Sequence, residues 1–312
     1  MKRCLSLLAA VVLATATLFA AGAEGVHISY VKSPFNLPLI VAFKRGMIQH
    51  AFAKAGATVK FYEIDSGAKQ TEAMAAGSLD IASVINTTSV ILAAAGGNEV
   101  RIVSGFSRPT GLFAIVAKDS AIVTAADLKG KKVAGPKGTV LHQLLAAFLD
   151  KAGLSMRDVA FHQMDIPAAR TALLAGHVDA ALLAAANVSL AQASGAHVVT
   201  TAEGIIKPQL VVAVRGGFLQ EHPRLVDLYV SIHKEALRWI ADHREEALAI
   251  GAQEAGISLA EARFLSDGSH FTAELGAADV AALRQDMDFM LRAGLLRSPV
   301  RPETLLRPGL VH

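Results

Sequence analysis

Ala76-Gly77-Ser78-Leu79-Asp80-Ile81-Ala82 and, about a hundred residues further on, Ala175-Gly176-His177-Val178-Asp179-Ala180-Ala181 are the two stretches that decide the fold. Each reads as a helix end, a glycine that takes the left-handed turn, and the start of a buried strand. Working outward, Val59-Lys60-Phe61-Tyr62-Glu63-Ile64-Asp65 precedes the first stretch and Val159-Ala160-Phe161-His162-Gln163-Met164-Asp165 the second, matching at Val, Phe and the closing Asp. Downstream, Asn86 opens a helical stretch ending at Gly96-Gly97, and Asn187 opens its counterpart ending at Gly195. Further strands are expected at 28–31, 101–106, 132–134 and 197–200. Four motifs in register predict two similar lobes of repeated β-loop-α units. Parallel strands joined by right-handed helical crossovers make each lobe an open, mainly parallel α/β sheet flanked by helices.

The composition agrees. Apolar residues form 53% of the 312 residues and charged residues 18%, enough to bury large cores and too apolar for a disordered or coiled-coil chain. A formal charge of +3 is too small for its length to mark a nucleic-acid binder. Lys2 and Arg3, an apolar run over 5–20 and the triplet Ala21-Gly22-Ala23 have the pattern of a cleaved signal peptide over 1–23. The single cysteine, Cys4, falls ahead of that run, so the mature chain is expected to be periplasmic, cysteine-free and not lipidated. Mean hydropathy is +0.42, yet the most apolar later window, 172–191, carries His177, Asp179 and Asn187 and is rejected as a membrane span.

In open α/β sheets ligands sit beyond the carboxyl ends of the strands, where helix N-termini present free N–H groups. Two such lobes facing each other make a cleft. The loops expected to line it contain Lys32, Ser33, Phe35 and Asn36; Ser66 and Gly67; Asn86, Thr87 and Thr88; Arg108; Lys137, Gly138, Thr139 and Val140; Asp165; and Asn187. Helix N-termini with Lys32, Arg108 and Lys137 nearby suit a small anion. Ser66, Thr87, Thr139 and Asn187 equally fit ordinary N-caps, and Asp65 and Asp165 fit either a solute amine or their own turns.

Leu37-Pro38-Leu39 to Arg45-Gly46, Glu72-Ala73-Met74-Ala75-Ala76-Gly77-Ser78-Leu79-Asp80, Ala126-Asp127-Leu128-Lys129-Gly130-Lys131-Lys132-Val133, Lys137-Gly138-Thr139 with His142, and Glu221-His222-Pro223 follow one another in an order and spacing that resemble a known family. It is the aliphatic-sulfonate and taurine binding proteins of ATP-driven importers, a branch of the type II periplasmic solute-binding proteins. The resemblance implies a monomeric two-lobed receptor that captures a small, anionic organic solute and delivers it to the membrane permease of an ABC importer. It implies a first lobe from 24–113, a second from 114–208, and a return with C-terminal helices over 209–312, with hinge strands near 112–117 and 205–214. There is one departure. Where the family tends to carry a Trp-Asp-Pro-Tyr-like stretch, this chain has Leu183-Ala184-Ala185-Ala186-Asn187-Val188, leaving room for a bulkier or more apolar solute, with Phe35 and Phe113 as replacement walls.

The residues offer little for catalysis. HExxH, GxSxG and GxxxxGK[ST] are absent, His162 and His177 have no second ligand at metal spacing, and His142, three residues into a helix that opens at the cleft, fits a helix-surface or satisfied partner role more readily than a ligand contact. The reading assigns no enzyme activity, no cofactor and no metal. The alternative from another class is an enzyme on the same two-lobed scaffold, of the kind that makes the thiamine pyrimidine.

Overall fold

The structure is a computed structural model that describes residues 24–31 and 35–311. The expected signal peptide, Cys4, Lys32 and Ser33 lie outside the described residues. The first half of the chain runs β1 (Glu24–Tyr30), α1 (Leu37–Lys44), α2 (Met47–Lys54), β2 (Ala57–Glu63), α3 (Gly67–Ala75), β3 (Ile81–Asn86), α4 (Thr87–Ala95), β4 (Val100–Ser107). A second run follows: β5 (Phe113–Ala117), β6 (Lys132–Gly135), α5 (Val140–Asp150), β7 (Ala160–Gln163), α6 (Ile166–Leu174), β8 (Ala180–Ala184), α7 (Ala186–Ala193), β9 (His197–Thr201). The chain then returns through β10 (Leu210–Arg215) and ends in α8 (Gly216–Glu221), α9 (Pro223–Asp242), α10 (Arg244–Ala255), α11 (Leu259–Ser269), α12 (Ala277–Arg292) and α13 (Pro302–Leu305).

Two five-stranded sheets result, with strand orders β2-β1-β3-β10-β4 and β7-β6-β8-β5-β9. They share one topology. In each, four strands run parallel and one, β10 or β5, lies antiparallel between its neighbours. That strand is the one entering from the other lobe, so the return of the chain breaks the parallel pattern. β5 and β10 each lie wholly within one sheet, and the passages between sheets are the segments 108–112 and 202–209 rather than the strands themselves.

The apolar runs are strands buried on both faces. Along β3, Ile81 and Val84 face one core and Ala82 and Ile85 another. Along β8, Leu182 and Leu183 divide in the same way between two cores. Continuous rather than alternating apolarity is what a sheet covered by helices on both sides requires.

The paired stretches that predicted the repeat also perform the same bond. Asp80 Oδ2 accepts the backbone N–H of His27 at 2.9 Å while its own N–H donates to His27 O, so the start of β3 is tied to β1. Asp179 Oδ2 accepts the N–H of Lys132 at 2.7 Å and its N–H donates to Lys132 O, tying β8 to β6. Gly77 and Gly176 precede these bonds at φ +72° and +75°, a conformation any Cβ would strain. Asp80 also takes the Arg215 guanidinium at 2.8 Å, joining β10 to the same point.

Asp80 is buried and serves two partners, whereas Asp179 is partly exposed beside an exposed Lys132. Asp80→Ala should therefore cost about 2–4 kcal/mol, because it strands a guanidinium and a strand N–H, and Asp179→Ala only about 1 kcal/mol. Urea unfolding of the two variants checks the order; equal losses would show that Arg215 adds nothing.

Candidate functional site

The strands end where their helices begin, and those helix starts converge between the two sheets. α3 is set by Gln70, whose buried side chain accepts from Ser29 Oγ at 2.9 Å and donates to Val84 O at 3.0 Å, pinning the helix across β1 and β3. Gly67 opens this helix because space forbids more: a Cβ there would stand 2.6 Å from Ser89 Oγ and 2.7 Å from Asn86 Nδ2. α4 is closed by its own N-cap, with Asn86 Oδ1 accepting the Ser89 N–H at 2.9 Å. The other three helices differ. Ser66, Thr139 and Asp165 occupy the N-cap positions of α3, α5 and α6, and none makes a side-chain cap to its helix. Thr139 instead donates to Pro136 O at 2.8 Å, and Asp165 accepts from Lys69 Nζ at 2.8 Å.

Between the lobes lies a cavity of about 590 Å³, a size ordinary for small-molecule sites. Its apolar wall comes from Val31, Val84, Phe113, Val140, Ile166 and Leu210. Ser66-Gly67, Thr139-Val140 and Asp165-Ile166 bring the N-termini of α3, α5 and α6 to the same space. Free N–H groups and positive dipole ends there favour a negative charge. Lys69 is the cation on the lining among the described residues; Glu63, Asp65 and Asp165 are the carboxylates. Glu63 and Asp65 have interaction partners of their own.

The lobes also touch beside the cavity. Gln143 of α5 is 1% exposed, accepts from Thr88 Oγ1 of α4 at 2.5 Å, and donates to Asp286 Oδ1 of α12 at 2.7 Å. Ser89 Oγ donates to Gly138 O at 2.8 Å. Second-lobe groups are thus received between groups of the first lobe and its returning tail.

Comparison with known proteins then places the chain. The family model described as NMT1/THI5 like matches residues 34–247. The chain belongs to the NMT1/THI5-like family. Across 257 residues it is 32% identical to a candidate aliphatic sulfonates-binding protein of Bacillus subtilis (strain 168), covering 79% of this chain and 76% of that one. It is 28% identical over 222 residues to the taurine-binding periplasmic protein of Escherichia coli (strain K12), covering 70% and 67%. The alkanesulfonate-binding protein SsuA of Xanthomonas axonopodis pv. citri, solved bound to MOPS, has the same fold at TM-score 0.80 and 24% identity over 94% of this chain and 99% of that one. The fold is the type II periplasmic binding protein fold.

Set in that family frame, the residues singled out in the sequence separate into two groups. Ser66, Gly67, Asn86, Thr139, Val140 and Asp165 line the cavity. Others do not. Arg108 is turned away: its guanidinium forks onto Asp279 with two bonds of 2.8 Å, tying the first passage between lobes to α12. Burial opposes the Asp279 charge, but hydrogen bonds from Arg108 and the Gly276 N–H outweigh it and hold the carboxyl below its ordinary range. Lys137 is exposed outside the lining, and Gly138, at φ +72°, faces Leu92 and Ala68 of the first lobe rather than the cavity. Of the two expected replacement walls, Phe35 packs with Leu37, Leu112, Ala185 and Leu248 in a helix cluster, while Phe113, buried in the main core, also lines the cavity. Asn36 is buried and donates to Val31 O at 3.0 Å, holding its own loop. Thr87 and Thr88 lie inside α4, with the Thr87 N–H donating to Gln209 O. Asn187 is the second residue of α7, not its cap, and accepts from Arg170 at 3.0 Å.

Sequence reasoning missed Lys69, Gln70 and Gln143. Lys69 and Gln70 follow Ser66-Gly67 on the first turn of α3, so the signal was position within a helix already assigned to the cleft. Gln143 carried no such signal, since its partners come from α4 and α12. His142 is buried against Phe161, and burial, with Lys137 nearby, pushes its pKa down to about 4; it is neutral at pH 7.

Asp286 supplies a pH test of the interlobe contact. Burial pushes its carboxyl up to about 6, against the hydrogen bond from Gln143. A raised acid destabilises the folded state when charged, so this cost is full above pH 6 and is relieved as pH falls toward the ordinary value. Asp286→Asn keeps an oxygen for Gln143 and should stabilise by about 1–3 kcal/mol at pH 7.5, an advantage vanishing near pH 4. His142 and the equally depressed His233 act oppositely, losing stability below about pH 6.5, so the readout is the difference between variant and wild-type melting curves. A pH-independent difference would show that the carboxyl is not strained.

Proposed function

We propose that the protein is the extracytoplasmic receptor of an ABC importer and that it captures an organic anion with an apolar body, an aliphatic sulfonate or a close relative, in the cleft between its lobes. The observation that carries this reading is the meeting of three helix N-termini, those of α3, α5 and α6, at one cavity while their N-cap side chains do not close the helices. An oxyanion supplies several acceptors at once to such N–H groups. The apolar part of the lining, with Val31, Phe113 and Leu210, offers an alkyl or aryl body a dry surface. A receptor role also accords with the two passages at 108–112 and 202–209, which leave the lobes free to close by hinge rotation about the solute. The relatives are binding proteins. Among the described residues no group of three His, Cys, Asp or Glu side chains stands ready for a metal ion.

Export, the lobe boundaries at 24–113, 114–208 and 209–312, and delivery to a membrane permease belong to the same proposal. Its chemistry is tested by titrating the protein with linear alkanesulfonates from butane- to octanesulfonate, and with the alcohols of equal length, by calorimetry. Each methylene that enters the apolar wall should tighten binding by up to about fourfold, from roughly 0.8 kcal/mol per buried CH₂. The alcohols should bind far more weakly. Equal affinity for alcohols and sulfonates would overturn the anion reading, and a flat chain-length series would overturn the apolar one.

A further inference from the structure

We propose that Lys69 is the residue by which the cleft selects a negatively charged solute, and that Asp165 holds its place as an internal counter-ion which the solute's head group displaces. This rests on the receptor reading above and goes beyond it in naming the selecting pair.

The two side chains come from opposite lobes. Lys69 is the third residue of α3, Asp165 the N-cap residue of α6, and both line the cavity, where Lys69 Nζ stands 2.8 Å from Asp165 Oδ2. Among the described residues, Arg108 is forked onto Asp279 and Lys137 is exposed outside the lining. Glu63 and Asp65 have their own partners; Lys69–Asp165 is a charge contact that joins the lobes at the cavity.

A fixed pair would be a poor selector, but this one is weak. The side chains are 57% and 51% exposed, and exposed ion pairs contribute little because water and salt screen them. An oxyanion entering the cavity meets better terms than Asp165 does. It reaches the same ammonium and, in addition, the helix N-termini that the N-cap side chains leave open. The Asp165 carboxylate does not cap its own helix, so it swings away without unmaking a cap. An acid at that position also repels the solute it gives way to, so its presence lowers affinity while it keeps Lys69 neutralised in the empty receptor.

The test uses the whole protein titrated with hexane-1-sulfonate by calorimetry, with thermal unfolding to confirm that each variant is folded. Lys69→Gln should weaken binding by about tenfold or more, and Lys69→Arg should restore most of it, as a charge-assisted contact requires. Asp165→Asn should tighten binding by up to about fivefold, the range of an exposed ion pair. If wild-type protein binds the sulfonate and Lys69→Gln binds it equally well, Lys69 is not the selector and the receptor reading stands. If Asp165→Asn binds more weakly, the pair is a latch that holds the lobes closed, and the counter-ion assignment is wrong. If wild-type protein binds no sulfonate, the receptor reading for sulfonates fails first and this inference falls with it.

Discussion

One carboxylate per lobe fixes where everything else can go. Asp80 and Asp179 each join the first residues of a central strand to the strand beside it, through a side-chain bond and a backbone bond to the same residue. With β1 and β3 tied at one end and running parallel, the helices that follow them begin at the same end of the sheet. The same holds for β6 and β8. Because the carboxyl ends of both sheets face the cleft, two short acidic side chains on the far edges determine that several helix N-termini arrive at one cavity. In the first lobe Asp80 also receives Arg215, so the returning strand β10 is drawn to the same anchor.

The functional character of the cleft comes from what its helix N-caps do not do. A serine, threonine or aspartate at an N-cap ordinarily turns its oxygen back to the helix. Asn86 does so and takes α4 out of the reckoning, while Ser66, Thr139 and Asp165 do not. Arg108 is spent on Asp279 and Lys137 lies in solvent, so the proposed anion site would rest on helix N-termini and Lys69 rather than on a cluster of cations. The apolar wall then sets shape rather than charge. Leu183, Ala184 and Ala185 are buried away from the lining, and Phe113 from the strand after the first passage stands in it.

The contacts between lobes divide into two kinds with different physical weight. Gln143, received by Thr88 and Asp286, is buried and satisfied on both ends of its amide, so separating it would strand both partners at once. Lys69 with Asp165 is half-exposed and cheap to rearrange. In the proposed receptor the first contact would define how the lobes meet, and the second would be the one a solute replaces.

The repeat was legible in the amino-acid sequence because it is local. Glycines at the left-handed turns, unbroken apolar runs and helix-opening residues all act through neighbours a few positions away, and they specified two α/β lobes with the same order of elements. The loops of the cleft followed from topology, and Ser66, Gly67, Asn86, Thr139, Val140 and Asp165 were reached in that way. Tertiary structure alone decided which side chains line the cavity. Arg108 and Asp279, Asn187 and Arg170, and Lys69 and Asp165 are pairs far apart in the chain or on separate helices, and a long cation turns to whichever carboxylate the packing brings within reach. Likewise Phe35 and Phe113 are equally apolar in the sequence; both are buried in cores, and only the packing brings Phe113 to the cavity lining as well. A side chain's partner is a long-range fact, and local pattern carries no information about it.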